Sequence, residues 1–184
     1  MAHKFYPLEV IDIHKTTEEA VVLSFQVKPE WQEVFRYQAG QYLTLQTNID
    51  NIQVRRSYSL CSSPLDNQWK VAVKKVDGGV FSTFANEKLK VGDTMEALPP
   101  NGRFFTAVES EKRNDYAAFA AGSGITPILS IIKTHLQAEP QSSFKLFYTN
   151  QHVSDIMLKE EIEALKNKYM DRFQIFHFLT KQAR

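Results

Sequence analysis

Arg56, Tyr58 and Ser59 stand within four residues of one another in the run Arg55-Arg56-Ser57-Tyr58-Ser59-Leu60-Cys61-Ser62-Ser63-Pro64. A guanidinium fork suits phosphate, a phenol ring stacks on flat ring systems, and a hydroxyl can hydrogen-bond the edge of such a ring. Together they fit a ligand that is anionic at one end and planar at the other, and a flavin nucleotide has that form. Residues i, i+2 and i+4 of a strand share a face. Arg56, Tyr58 and Leu60 are therefore expected to point one way and Ser57 and Ser59 the other, unless the strand end twists or bulges. The same run also suits an edge strand with a solvated arginine and a half-buried tyrosine.

Two further segments carry groups that could hold an anion. Asp77-Gly78-Gly79-Val80-Phe81-Ser82 places two glycines ahead of a short helix that should end near Lys88. A glycine turn feeding a helix N-terminus offers free N–H groups and the positive end of the helix dipole. Gly122-Ser123-Gly124-Ile125-Thr126-Pro127 follows an apolar strand and opens a helix over 125–138, with Pro127 in the first turn where no N–H is missed. Strand, Gly-x-Gly, helix is the arrangement that seats a pyrophosphate, although Pro127 stands where a third glycine would complete the dinucleotide fingerprint. For both segments an ordinary small-residue turn is the alternative.

The elements that must position these residues fall into two regimes. Up to about residue 100 the apolar residues alternate with a period of two: Val21, Leu23 and Phe25, then Leu43 and Leu45, then Trp69, Val71 and Val73. Residues 8–14 read as a strand whose phase slips at Val10-Ile11, which predicts a bulge. Short strands without a long helix indicate an antiparallel barrel or sandwich. The polar stretch 109–115 is read as a boundary. Beyond it come a strand over 116–121 expected to be buried on both faces, the helix 125–138, a strand over 144–149, an amphipathic helix over 155–169 and a strand over 173–179. That alternation predicts a parallel sheet with ligands at the carboxyl ends of its strands. The expected fold is an antiparallel six-stranded β-barrel over 1–108, followed by an incomplete α/β nucleotide-binding unit over 109–184.

Composition narrows the function classes. With 184 residues and 43% hydrophobic content the chain can bury a real core. A net charge of +1 argues against a dedicated nucleic-acid or polybasic membrane surface. No apolar run approaches the roughly 20 residues that span a bilayer, and the N-terminus has no apolar secretory core. Cys61 is the only cysteine, which excludes an internal disulfide and a cysteine-ligated iron–sulfur cluster within these residues. The five histidines show no metal-ligand spacing, so no metal site is expected. A cytoplasmic protein is the simplest inference.

Taken in order, the segments resemble the ferredoxin–NADP reductase superfamily. Arg56-Ser57-Tyr58-Ser59 is similar to its Arg-x-Tyr-Ser flavin motif, Gly79-Val80-Phe81-Ser82 to its second flavin-phosphate motif, and Gly122 to Pro127 to its Gly-x-Gly-x-x-Pro nicotinamide-nucleotide motif. Ala39-Gly40-Gln41-Tyr42 and Pro100-Asn101-Gly102-Arg103-Phe104 also look like family positions. Within the superfamily the chain looks nearest to the reductase modules of flavohaemoglobins and of ring-hydroxylating or epoxidising oxygenases, with the phenylacetyl-CoA epoxidase reductases as the preferred subgroup.

The resemblance implies FAD, with its isoalloxazine against Tyr58 and its N5 near the Ser59 hydroxyl; these two would stand at the reacting ring. It implies Arg56 and the amides of Gly79, Val80, Phe81 and Ser82 on the pyrophosphate. It places Ser57 within the flavin motif, Val73, Lys74 and Val76 along the ribityl side, and Tyr42 against the flavin from the neighbouring strand. Gly122, Ser123, Gly124, Thr126, Pro127, Tyr148 and Asn150 would serve NADH or NADPH, with Thr126 where nicotinamide meets flavin. Hydride would pass from nicotinamide to flavin, and electrons would leave singly to a ferredoxin-type acceptor or an oxygenase component. The family's later Cys-Gly-Pro-like motif and closing aromatic do not occur before Arg184, so the resemblance implies a truncated chain with any 2Fe–2S cluster in a missing C-terminal domain. Gln151 stands where relatives often carry an arginine that pairs with a 2′-phosphate, which leaves NADPH and NADH as alternatives. A stand-alone flavin or ferric reductase and a non-catalytic nucleotide-binding module are the competing readings.

Overall fold

The period-two segments build one antiparallel sheet. The structure, a computed structural model, describes residues 4–181; the outer limits of the two expected units, residues 1 and 184, lie outside them. The strands β1 (Tyr6–Thr17), β2 (Ala20–Gln26), β3 (Tyr42–Ile49), β4 (Ile52–Ser59), β5 (Trp69–Lys74) and β6 (Thr94–Asn101) lie in the order β4-β3-β6-β1-β2-β5. An isolated bridge between Leu60 and Val71 joins the two ends and closes the sheet into a barrel. The phase slip read at Val10-Ile11 is a register shift between Val10 and Asp12 against β2. Asp50 and Asn51 take φ of 50° and 65° in the two-residue β3–β4 turn, where both positions need the left-handed region. Leu8, Leu23, Leu43, Leu45, Val71 and Val73 fill the barrel, and α1 (Val80–Glu87) plugs it with Phe81 and Ala85.

The second sheet is parallel and in register, β7 (Asp115–Ala121), β8 (Ser143–Asn150) and β9 (Phe173–Leu179) in that order. Its helices α2 (Ile125–Ala138) and α3 (Lys159–Lys168) bury one face, where Ala118, Leu146, Tyr148 and Phe173 meet Leu129, Ile132 and Ile162. Two expectations need correction here. The strand over 116–121 is not buried on both faces: Phe119 is 72% exposed, and its ring stacks on Phe147, which stacks in turn on Phe176. Both helices lie on the opposite face, so this one is uncovered among the described residues. The helix expected over 155–169 begins four residues later. Asp155 accepts from the His152 N–H at 3.0 Å and turns the chain into a short 3-10 segment, and Leu158 sits at φ 58° before α3 starts. The expected stripe persists, with Leu158 and Ile162 buried and Leu165 and Tyr169 packed partly against the same core.

The two units meet along a buried seam. The outward face of β2 is buried as well as the inward one, because Ala20 and Val22, with Ala72 of β5, pack in one cluster with Ile125 and Leu129 of α2. The stretch between β6 and β7 is pinned to the end of α2. Thr106 Oγ1 lies 2.6 Å from His135 Nε2, and the Glu109 N–H donates to Glu139 Oε1 at 3.2 Å. Glu139 is fully buried and also receives the Tyr116 hydroxyl at 3.0 Å, with His135 Nδ1 at the same distance.

Burial alone would raise the Glu139 carboxyl. Hydrogen bonds from the Glu109 amide, Tyr116 and His135 outweigh it and hold the group below its ordinary 4.5. A carboxyl depressed in the folded state stabilises it above the unfolded value, and that contribution is lost as pH falls through the lower, folded value. Glu139→Gln is therefore expected to lower stability near neutral pH and to flatten the acid limb below about pH 4.5. Urea unfolding at about pH 7 and about pH 3 measures this. An acid limb as steep as in the parent chain would show that another carboxylate carries it.

Candidate functional site

One cleft of about 720 Å³ runs between the barrel and the parallel sheet, and both glycine turns open into it. Its size suits a cofactor-sized ligand. On the barrel side β4 contributes Arg56, Ser57, Tyr58 and Ser59, so the strand's end presents both of its faces to the cleft. Opposite stand Ser123, Gly124, Thr126 and Pro127.

Each of the three sequence segments has a distinct local build. Tyr58 is half-buried and packs on Phe81 of α1, with ring centroids 5.4 Å apart. Burial pushes its phenol up to about 12, partly offset by the charge of Arg56, so it stays a neutral ring at physiological pH. Arg56 is exposed, and one guanidinium N–H donates to the Arg55 carbonyl at 2.7 Å. Among the described residues it has no carboxylate partner, which leaves its charge available to an anion.

At the second segment, Gly79 caps α1, and helix geometry leaves the amides of Val80, Phe81 and Ser82 without intrahelical acceptors. A Cβ on Gly79 would lie 2.4 Å from Ser82 Oγ and 2.9 Å from the Val76 carbonyl oxygen, so the cradle needs glycine. The Ser82 hydroxyl accepts from the Val76 N–H and donates to the Gly79 carbonyl, each at 3.1 Å. It therefore shapes the turn, and what it offers a ligand is its backbone amide.

At the third, Gly122 takes φ 49°, in the left-handed region that favours glycine. Its carbonyl accepts the Tyr148 hydroxyl at 2.9 Å. Thr126 Oγ1 donates to the Ser123 carbonyl at 3.1 Å and closes the turn ahead of α2.

Several expected contacts fall elsewhere. Val73 does not line the cleft: strand alternation turns it into the barrel core, fully buried, and gives the cleft Ala72 and Lys74 instead. Tyr148 is buried and its hydroxyl supports the Gly122 turn rather than facing a ligand, and Asn150 is buried with neither side-chain amide atom hydrogen-bonded; neither residue lines the cleft. Tyr42 lies opposite Ser59 in the β3–β4 register but outside the cleft lining, with its ring against Gly102. Phe81 is buried under Tyr58 and offers only its backbone. Lys74, Val76 and Val80 do line the cleft. Sequence reasoning missed Ala72 and Lys75. Period-two alternation on β5 points to Ala72. Lys75 follows the strand, where no periodic signal exists, and pairs with Glu87 at 2.6 Å.

The profile of the Oxidoreductase FAD-binding domain family matches residues 7–106, more than half of the chain, and that of the Oxidoreductase NAD-binding domain family matches residues 119–184. The chain belongs to the FAD- and NAD-binding oxidoreductases. It is similar to one of the subunits of 1,2-phenylacetyl-CoA epoxidase from Escherichia coli, at 40% identity over 97% of this chain and 50% of that protein. It is similar to the ferredoxin reductase component of 3-ketosteroid-9-alpha-monooxygenase from Rhodococcus rhodochrous, at 36% identity over 94% of this chain and 48% of that protein. The chain thus spans about half the length of these relatives. Ferredoxin-NADP+ reductase from Plasmodium falciparum shares the fold, with a TM-score of 0.83 at 19% identity over 98% of this chain and 75% of the other. The barrel followed by a parallel sheet is thus the ferredoxin reductase-like architecture of these oxidoreductases. No helix among the described residues is long and apolar enough to cross a membrane.

Proposed function

We propose that this chain is the FAD- and pyridine-nucleotide-binding part of a reductase that takes electrons from NADH or NADPH and delivers them, through a 2Fe–2S domain, to a partner oxygenase in the cytoplasm. The observation that carries this reading is the single cleft in which Tyr58, Ser59 and the Gly79 turn face Ser123, Thr126 and Pro127. Two nucleotide cradles opening on one space bring a planar group from each side into contact. The oxygenase partner rests on the relatives, which are a component of a phenylacetyl-CoA epoxidase and the ferredoxin reductase component of a monooxygenase. In this reading residues 1–108 form the FAD unit and 109–184 the nucleotide unit.

The residues present fit FAD. Bound FAD supplies the hydride acceptance and stepwise electron release for which side chains are unsuited. The protein's part is to bind and orient. Tyr58 would give the ring system a neutral face, and the Ser59 hydroxyl would be available to hydrogen-bond its edge. Arg56 and the free amides of Val80 to Ser82 take the pyrophosphate, and Gly79 lets it approach the backbone. Lys74 adds positive charge along the cleft. Thr126 and Pro127 close the opposite wall against water and set where the nicotinamide lies.

Titration of the purified chain with FAD, followed by visible absorption, tests the reading. Saturable uptake with shifted flavin bands is expected, then anaerobic bleaching by one of the two nucleotides. Tyr58→Ala should weaken uptake and return the bands toward those of free flavin. A chain that takes up no FAD would remove the proposal at its base. Uptake without bleaching would favour a binding module over a reductase.

A further inference from the structure

The run that carries the flavin motif continues without a break into a turn that is bolted to the nucleotide helix. Three residues beyond Ser59, the Ser62 carbonyl accepts the Ser130 hydroxyl of α2 at 2.6 Å. One helical turn further along α2, Thr134 Oγ1 donates to the Ser130 carbonyl at 2.7 Å. Its proton committed there, Thr134 Oγ1 accepts from Ser63 Oγ at 2.9 Å, and Ser63 Oγ in turn accepts the Leu65 N–H at 3.2 Å. The donors therefore run in one direction along Leu65, Ser63, Thr134 and the Ser130 carbonyl, with no freedom to reverse.

These hydroxyls are inaccessible: Ser63 and Ser130 are 0% exposed and Thr134 is 4% exposed. Around them Cys61, Ala20, Val22 and Ala72 pack with Ile125 and Leu129 in one apolar cluster. Polar groups in such surroundings hold their geometry because each lost partner leaves an unsatisfied buried atom. Apolar contact alone would let α2 slide along the barrel wall, whereas two directional bonds to consecutive residues fix both its height and its rotation. Thr126 stands four residues before Ser130 in the helix, about 6 Å along the axis. Ser59 stands three residues before Ser62 on an extended chain that the Leu60–Val71 bridge also holds.

We propose that Ser130 and Thr134 are positioning residues: by bonding Ser62 and Ser63 they set the distance and angle between the Thr126 wall of the cleft and the Tyr58–Ser59 wall. This rests on the reading of the cleft as a meeting place for two nucleotides. Neither residue touches the cleft, and neither is needed to bind FAD, whose cradle belongs to the barrel. The two ligand sites are thereby held as one rigid body, with no closing motion needed to bring them together.

The test compares the FAD-loaded chain with Ser130→Ala, Thr134→Val, the double variant, and Thr134→Ser, which keeps the hydroxyl. Hydrogen exchange reports on α2 without any turnover. The double variant should exchange its 125–132 amides at least about tenfold faster, with β3 and β4 unchanged and FAD affinity within about twofold of the parent. Single-turnover reduction by NADH or NADPH at saturating nucleotide should fall roughly ten- to a hundredfold with little change in the half-saturating concentration, and Thr134→Ser should restore it. Unchanged exchange in α2 would overturn the proposal. So would faster exchange with an unaltered reduction rate, or a loss of FAD affinity that parallels the loss of rate. If the parent chain takes up FAD but neither nucleotide reduces it, the reductase reading fails on its own account, and the exchange measurement still decides whether the seam holds the helix.

Discussion

Gly40→Ala is expected to destabilise the chain by roughly 3–5 kcal/mol, from left-handed strain and overpacking together. Gly40 sits at φ 100°, and a Cβ built there lies 1.9 Å from the Phe104 carbonyl oxygen and 3.2 Å from Ile131 Cδ1. The clashing atom is backbone, and that stretch of chain is pinned two residues later where Thr106 meets His135, so neither side can yield. Gly102→Ala provides the contrast. Its φ of 128° is also strained, but the nearest atom is a ring carbon of Tyr42 at 3.2 Å, which can shift by a few tenths of an ångström. Gly78→Ala meets nothing within 4 Å and carries only its φ of 67°, for a cost of about 1 kcal/mol. Denaturant unfolding of the three variants should rank them in that order. A Gly40→Ala protein within about 1 kcal/mol of the parent would show that the segment after β6 yields to the added methyl group.

Arg56→Ala should loosen FAD roughly ten- to a hundredfold, the loss of a charge-assisted hydrogen bond of about 1.5–3 kcal/mol. The guanidinium has no competing carboxylate among the described residues, so its charge is not already spent on the protein. The residual affinity should fall less with added salt than the parent's does, because an exposed cation facing a pyrophosphate is screened. Lys74→Ala should cost less, since a lysine offers a point charge rather than a planar fork. Equal FAD affinity in Arg56→Ala and its parent would reject the phosphate assignment, and a wholly salt-independent difference would point to lost packing instead.

Much of this was legible in the sequence, for identifiable reasons. Period-two alternation is a strong signal, and it placed β2, β3 and β5 and even the bulge in β1. Pro127 and the glycines ahead of it fixed the start of α2 at Ile125. The failures have physical causes. Alternation on β5 argues against Val73 in the cleft, because it turns Val73 into the barrel core. The late start of α3 depends on the Thr16 hydroxyl, which accepts the Leu158 N–H at 2.6 Å from 142 residues away; no local pattern encodes such a partner. The exposed face of β7 is not legible in the sequence, because an apolar run reports that a strand is apolar, not that something covers it. The Ser62–Ser130 seam was invisible for the same reason as Thr16: a serine's local sequence does not say whom it will meet.

That seam also has a consequence for how the molecule comes to exist. Ser62 and Ser130 lie 68 residues apart, but the barrel is complete only with β6, which ends at Asn101; a ribosome adding about 5–20 residues per second reaches Ser130 roughly 1.5–6 s after that strand. A small antiparallel barrel closes within milliseconds to seconds. The surface on which α2 must land, with the Ser62 carbonyl and the Ser63 hydroxyl already facing outward, can thus be finished before α2 has been made. The nascent second unit then folds against a template rather than beside a partner.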